Sequence, residues 1–249
     1  MVGLTSARPA ALDRRLVIAS LALLSALAWL YLWQSAASDD MAGMPHMGGV
    51  SALVLTFAMW AVMMIGMMLP SATPAIALYA TLVRKNAERG SALPAAWIFT
   101  SGYVAAWAGF SAVAAAAQTL LEQAMLLTST MSFASKGLTA AVLLAAGSYQ
   151  LLPLKDVCLR NCRNPLELFT VRWRPGARGA FRMGFEHGLY CVGCCWMLML
   201  LLFVAGVMNL LWVALIAAFI FVEKLLPGAR YTSAIAGLAL LGAGVFVML

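Results

Sequence analysis

Between Gly184 and Leu200 the chain reads GFEHGLYCVGCCWMLML, which sets a glutamate, a histidine and three cysteines in an otherwise apolar run. On a helix, positions 187, 191, 194 and 195 are spaced i, i+4, i+7 and i+8, so His187, Cys191, Cys194 and Cys195 share one face. Imidazole and thiolate are the ligands that soft and borderline metals prefer, with Cu(I) and Zn(II) the leading candidates. Single cysteines are also ordinary small apolar residues of buried helices. Grouped with a histidine, in a medium where ionisable side chains are costly, they point to a metal or redox site. One helix offers two or three ligands and cannot close a cage, so a second element has to contribute.

The stretch AMWAVMMIGMMLP, Ala58 to Pro70, supplies one. Met59, Met63 and Met67 form an i, i+4 row, and Met64 with Met68 forms another beside it. Methionine is a flexible core filler, but five in ten residues exceed what filling needs. Thioethers ligate Cu(I) without losing a proton and so can pass the ion along an apolar path. Upstream, DDMAGMPHMGG holds Met41, Met44, His46 and Met47 between acids and glycines. It reads either as a mobile solvated loop or as a capture element for copper. Downstream, DVCLRNCRNP places Cys158 and Cys162 four apart, too wide for CxxC and suited to one helical turn. A cytoplasmic pair stays reduced and could exchange metal, and two plain free thiols fit as well.

A thiolate alone in hydrocarbon is prohibitively expensive, so such a cluster persists either as neutral thiols or with a cation present. Cu(I) supplies that charge and accepts the few ligands that one helix and a neighbour offer, whereas Zn(II) wants four in a tetrahedron. Copper is therefore the expected cargo, ahead of zinc.

The elements that must carry these residues are membrane helices. The 249 residues are 64% hydrophobic and 10% charged, with a mean hydropathy of +0.93, far from the usage of a soluble domain. Uncharged runs fall at Leu16 to Trp33, Val50 to Val83, within Ala92 to Leu121, within Gly137 to Leu154, at Gly188 to Val222 and at Tyr231 to Leu249. Pro70 and Pro74 predict a kink or break in the second. At 1.5 Å per residue, Gly188 to Val222 would make about 52 Å of helix, so two short spans turning near Ala205 to Asn209 fit better. The expected fold is an all-α polytopic bundle of about seven spans, one integral membrane domain over residues 1–249. The formal charge of +7 lies in short clusters, not in a basic domain, and sets orientation in preference to nucleic-acid binding. With the N-terminus inside, fifteen of the sixteen Lys and Arg are cytoplasmic, only Lys136 is outside, and the C-terminus is outside. Glu186 and Glu223 fall near cytoplasmic ends, where snorkelling makes them cheap. Gly237, Gly242 and Gly244 permit close helix packing, within the chain or between chains.

No GxxxxGK[ST], GxGxxG or HExxH occurs, so ATP-driven transport, dinucleotide binding and zincin proteolysis lack local support. Nothing specifies an enzyme. Together, AMWAVMMIGMMLPSATP, CLRNCRNPL, GAFRMGFEHGLYCVGCCWMLML and GVMNLLWVALIAAFIFVEKLLP resemble a bacterial family of integral membrane proteins that carry a domain of unknown function and are described as predicted metal-binding. The likeness covers about Ser51 to Pro227. Glu186 departs from the basic or neutral residue expected before the histidine. The resemblance implies metal binding and adds no mechanism.

Two function classes follow. In the first, an inner-membrane protein takes Cu(I) from the outside Met/His loop along the methionine helix to the Cys/His cluster, for delivery or transport, with the bilayer and a metal-donating or metal-receiving protein as partners. In the second, Cys191, Cys194 and Cys195 exchange disulfides or electrons. Vicinal cysteines on a helix diverge by about 100°, which favours metal. A structural or assembly subunit of a membrane complex is the remaining alternative.

Overall fold

The computed structural model describes residues 7–37, 50–86, 93–128, 130–166, 169, 172–225 and 229–249. Met41, Met44, His46 and Met47 lie outside them. Every regular element among the described residues is helical: α1 (Ala7–Ala37), α2 (Val50–Asn86), α3 (Leu93–Gln123), α4 (Lys136–Leu151), α5 (Pro153–Arg163), α6 (Gly176–Leu200), α7 (Leu202–Ala205), α8 (Leu210–Leu225) and α9 (Ala229–Met248). Among the described residues, extended pairing is confined to a bridge between Leu127 and Phe133.

Among the described residues, five stretches are long and apolar enough to cross a membrane: Leu12–Ala36, Val50–Arg84, Ala95–Gln123, Gly176–Ala205 and Arg230–Met248. The α4 and α5 pair, bent by 64°, makes a sixth only when taken as one span. At 16 residues, α8 covers about 24 Å, about 6 Å short of the hydrocarbon thickness.

The uncharged run from Gly188 to Val222 is broken where its length required. Gly206 takes φ +94°, a left-handed value that favours glycine. The Asn209 side chain then accepts from the Trp212 backbone N–H at 3.3 Å and caps the start of α8.

Of the kink or break expected at Pro70 and Pro74, a break does not occur: α2 continues through both for 37 residues. Proline at 70 cannot donate to the Gly66 carbonyl, which an interior proline leaves orphaned. The neighbouring helix answers it, because the Ser25 hydroxyl and the Trp29 indole N–H of α1 both donate to the Gly66 oxygen, at 2.9 and 3.2 Å. The missing bond is replaced by tertiary contact, and the helix holds.

Helix pairs close on small residues, as in membranes generally. A Cβ added at Gly184 of α6 would overlap the Phe99 carbonyl oxygen of α3, and one at Gly188 would stand 2.7 Å from the Ala106 Cβ. Backbone therefore touches backbone where α3 crosses α6, beside the cysteine face. At the α4–α9 contact, Gly237 lies against Gly147 and Gly244 against Leu144, while a Cβ at Gly242 meets nothing within 4 Å. The last helix thus uses two of its glycines within the chain.

Candidate metal centre

His187, Cys191, Cys194 and Cys195 are all buried on α6, at 0–2% exposure, as one helical face requires. What meets that face differs from residue to residue. The His187 ring lies against Phe99 and Tyr103, with centroids 6.1 and 5.9 Å away, and its Nδ1 has no hydrogen-bond partner among the described residues. Cys191 Sγ stands 3.0 Å from the Tyr103 hydroxyl and 2.9 Å from Lys224 Nζ, which donates to it. Lys224 also donates to the Ser71 hydroxyl of α2 at 3.1 Å.

Sequence reasoning missed this lysine. The cation that a buried cysteine cluster needs was sought in a metal, and at Cys191 the chain supplies an ammonium. Its signal in the sequence is a Lys at the end of the apolar run of α8, where a loop charge is the ordinary expectation. Lys155 is similar: it is 1% exposed and pairs with Glu223, itself 1% exposed. Glu223 is therefore not snorkelling. Glu186 sits among Arg182 and Arg174, at 3.0 and 3.7 Å, so its departure in charge is answered locally.

Cys158 and Cys162 do share a helix, α5, as their spacing predicts. That helix packs on α6 and joins the two cysteine groups. Cys162 Sγ lies 3.9 Å from Cys194 Sγ. A Cβ at Gly193 would come within 2.9 Å of Cys158 Sγ, so the second thiol of α5 also abuts α6. Two metal–thiolate bonds of about 2.3 Å, meeting at the angle of a trigonal or bent site, span about 3.9 Å. Among the described residues, no three His, Cys, Asp or Glu side chains stand in metal-holding geometry. The pair thus offers two thiolates to an ion that accepts few ligands, whereas a four-coordinate ion needs two more than the described residues bring together here. Cys194 and Cys195 also donate to the Cys191 carbonyl, at 3.1 and 2.9 Å, which satisfies Cys195 as an ordinary buried thiol.

The methionine rows of α2 are buried throughout: Met59, Met63, Met64, Met67 and Met68 are 0–5% exposed. Met68 meets the site through its backbone, its carbonyl accepting from Tyr103 at 3.3 Å. At the other end of the row, Met59 and Met63 line a cavity of about 10 Å³ together with Met208, from the break between α7 and α8, and Ser35 of α1. That volume holds about one water-sized particle. Met208 lies in a turn, where no helical spacing singled it out.

A family model described as PpoB2, copper chaperone, matches residues 57–247. The chain belongs to the PpoB2 copper chaperone family. The match takes in α2 to α9, hence the methionine rows, both cysteine groups, Met208 and Lys224, and it starts after α1 and the Met/His loop. PpoB2 membership sharpens the predicted metal-binding resemblance, because the family's description names the metal. No curated protein and no solved structure is detectably similar to this PpoB2 family chain.

Proposed function

We propose that the protein receives Cu(I) at its outer face and holds it between Cys162 and Cys194 for hand-over to a copper-receiving protein. The observation that carries this reading is the thiol pair, brought together from two helices with Cys194 buried and Cys162 half-buried, at a separation that two bonds to one soft ion span. In this reading Cys191, already engaged by Lys224 and Tyr103, and His187, with its free Nδ1, flank the ion instead of forming its core. Upstream, the Met59, Met63 and Met208 cavity is the first thioether station, and Met64 and Met67 continue the path inward. Thioethers are neutral, so the ion crosses without proton exchange until it reaches thiols.

The Met44, His46 and Met47 loop serves as a capture element. Thioether and imidazole ligands in so glycine-rich a sequence lose conformational entropy on closing around an ion, which weakens them as a final site. Replacing Met44, His46 and Met47 together, or Met59, Met63 and Met208 together with leucine, should slow Cu(I) loading about tenfold while leaving the final copper content within about twofold. Stopped-flow loading against a Cu(I) chromophore measures both. Loss of the final content would make the thioethers the main site.

The orientation proposed is N-terminus inside and C-terminus outside, in a bacterial inner membrane, with seven spans including α4 and α8. Lys155 and Lys224 are buried and no longer count as loop charges; thirteen of the fifteen inside charges remain against Lys136. A periplasm-dependent reporter fused after Leu249 should be active, and activity of a cytoplasm-only reporter there would reverse the assignment.

A thiol redox role is the second reading, favoured by the same pair, because closing 3.9 Å to the roughly 2.05 Å of a disulfide needs only a small movement. Copper bound by the fully reduced protein separates the two.

A further inference from the structure

Where α4 gives way to α5, Leu152 is extended at ψ 141°, as a residue before proline prefers, and the two helix axes part by 64°. The bend opens a cavity of about 380 Å³ against the start of α9. Its wall holds Gln150, Lys155, Asp156, Arg230, Ser233 and Ala234. Most of that polarity is already matched. Lys155 donates to Gln150 Oε1 and to Glu223, the Ser233 hydroxyl donates to Glu223, and Asp156 pairs with Arg160 at 3.1 Å.

Two donors are left over. Gln150 is 5% exposed, yet its Nε2 has no acceptor. No acid pairs with the exposed Arg230 among the described residues. A buried donor without a partner is costly, so this wall favours a ligand that brings acceptor oxygens, and the exposed charge of Arg230 favours anionic ones. The lip is apolar: Leu151 and Leu152 line the cavity and are each 47% exposed. α4 ends at Leu151 and α9 starts at Ala229, so in the seven-span arrangement proposed above the site lies at the bilayer surface, where headgroup and acyl chain join. An anionic head between Gln150 and Arg230 with an apolar tail over the two leucines is a phospholipid.

We propose that this cavity binds the phosphate headgroup of an anionic phospholipid. It is separate from the thiol pair and does not depend on the copper reading. Native mass spectrometry of the full chain in detergent, titrated with phosphatidylglycerol, tests it. The wild type should retain one phosphatidylglycerol per chain, in preference to phosphatidylcholine and in the presence of millimolar inorganic phosphate. Arg230→Gln should weaken retention about fivefold, and Ala234→Phe, which fills the cavity from its side, should abolish it. Unchanged elution and melting temperature show that both variants fold. Equal retention in all three chains would mean only a general lipid annulus, equal retention of phosphatidylcholine would remove the anionic headgroup, and displacement by inorganic phosphate would make the site one for free phosphate. Each of these overturns the proposal.

Discussion

Cys162→Ser with Cys194→Ser is expected to leave the purified chain with almost no copper, while it elutes and melts like the wild type. Loss of a supporting hydrogen bond around a metal typically weakens binding about 10- to 100-fold, so removal of two thiolate ligands should exceed about 100-fold. Serine is close to cysteine in size, and neither thiol holds a structural bond that a hydroxyl cannot replace: Cys194 donates to the Cys191 carbonyl at 3.1 Å, which serine can also do. Cys195→Ser should change copper content by less than about threefold, since its thiol is satisfied inside α6. Cys191→Ser should fall between them, because it flanks the pair and is held by Lys224. Copper titration with a competing chelator gives all the affinities. If the Cys162 and Cys194 variant keeps its affinity and Cys191→Ser loses it, the site is centred on the α6 face alone.

The largest effect on stability should come from Glu223→Leu. Lys155 is buried against this carboxylate, and removing one partner of a buried pair typically costs about 3–5 kcal/mol, a large part of the 5–15 kcal/mol that holds a typical domain together. Gln150 and Ser233 remain as neutral partners of the lysine and cannot balance its charge. The single variant should lose most of its folded yield in fluorescence-detected gel filtration. Lys155→Met combined with Glu223→Leu should restore it, because replacing both charges by apolar groups removes the unpaired ion. A single variant as well folded as the wild type would show that Lys155 finds its counter-charge elsewhere.

Much of this architecture is legible in the sequence, and the exceptions have a common cause. Uncharged length alone finds α1, α2, α3, α6 and α9, and the break near Ala205 to Asn209 follows from a run too long for one span. The shared face of His187, Cys191, Cys194 and Cys195 follows from helical spacing, as does the one-turn pairing of Cys158 and Cys162. What spacing cannot give is which surface a helix presents to a partner distant in sequence. Pro70 reads as a breaker because the hydrogen bonds that rescue Gly66 come from Ser25 and Trp29, 41 and 37 residues away. Lys155, Glu223 and Lys224 read as end charges because their partners sit on other helices. The Cys162–Cys194 approach spans 32 residues and depends on α5 folding back onto α6. Met208 is invisible for the same reason, being brought beside Met59 and Met63 only by the turn at Gly206.

The most direct test is the metal content of the full chain, purified under reducing conditions from cells supplied with both copper and zinc and measured by mass spectrometry of the elements. A two-thiol site for a soft ion predicts close to one copper per chain and almost no zinc, with the copper lost in the Cys162→Ser and Cys194→Ser variant. A wild-type chain that carries zinc in preference to copper, or no metal at all, contradicts it.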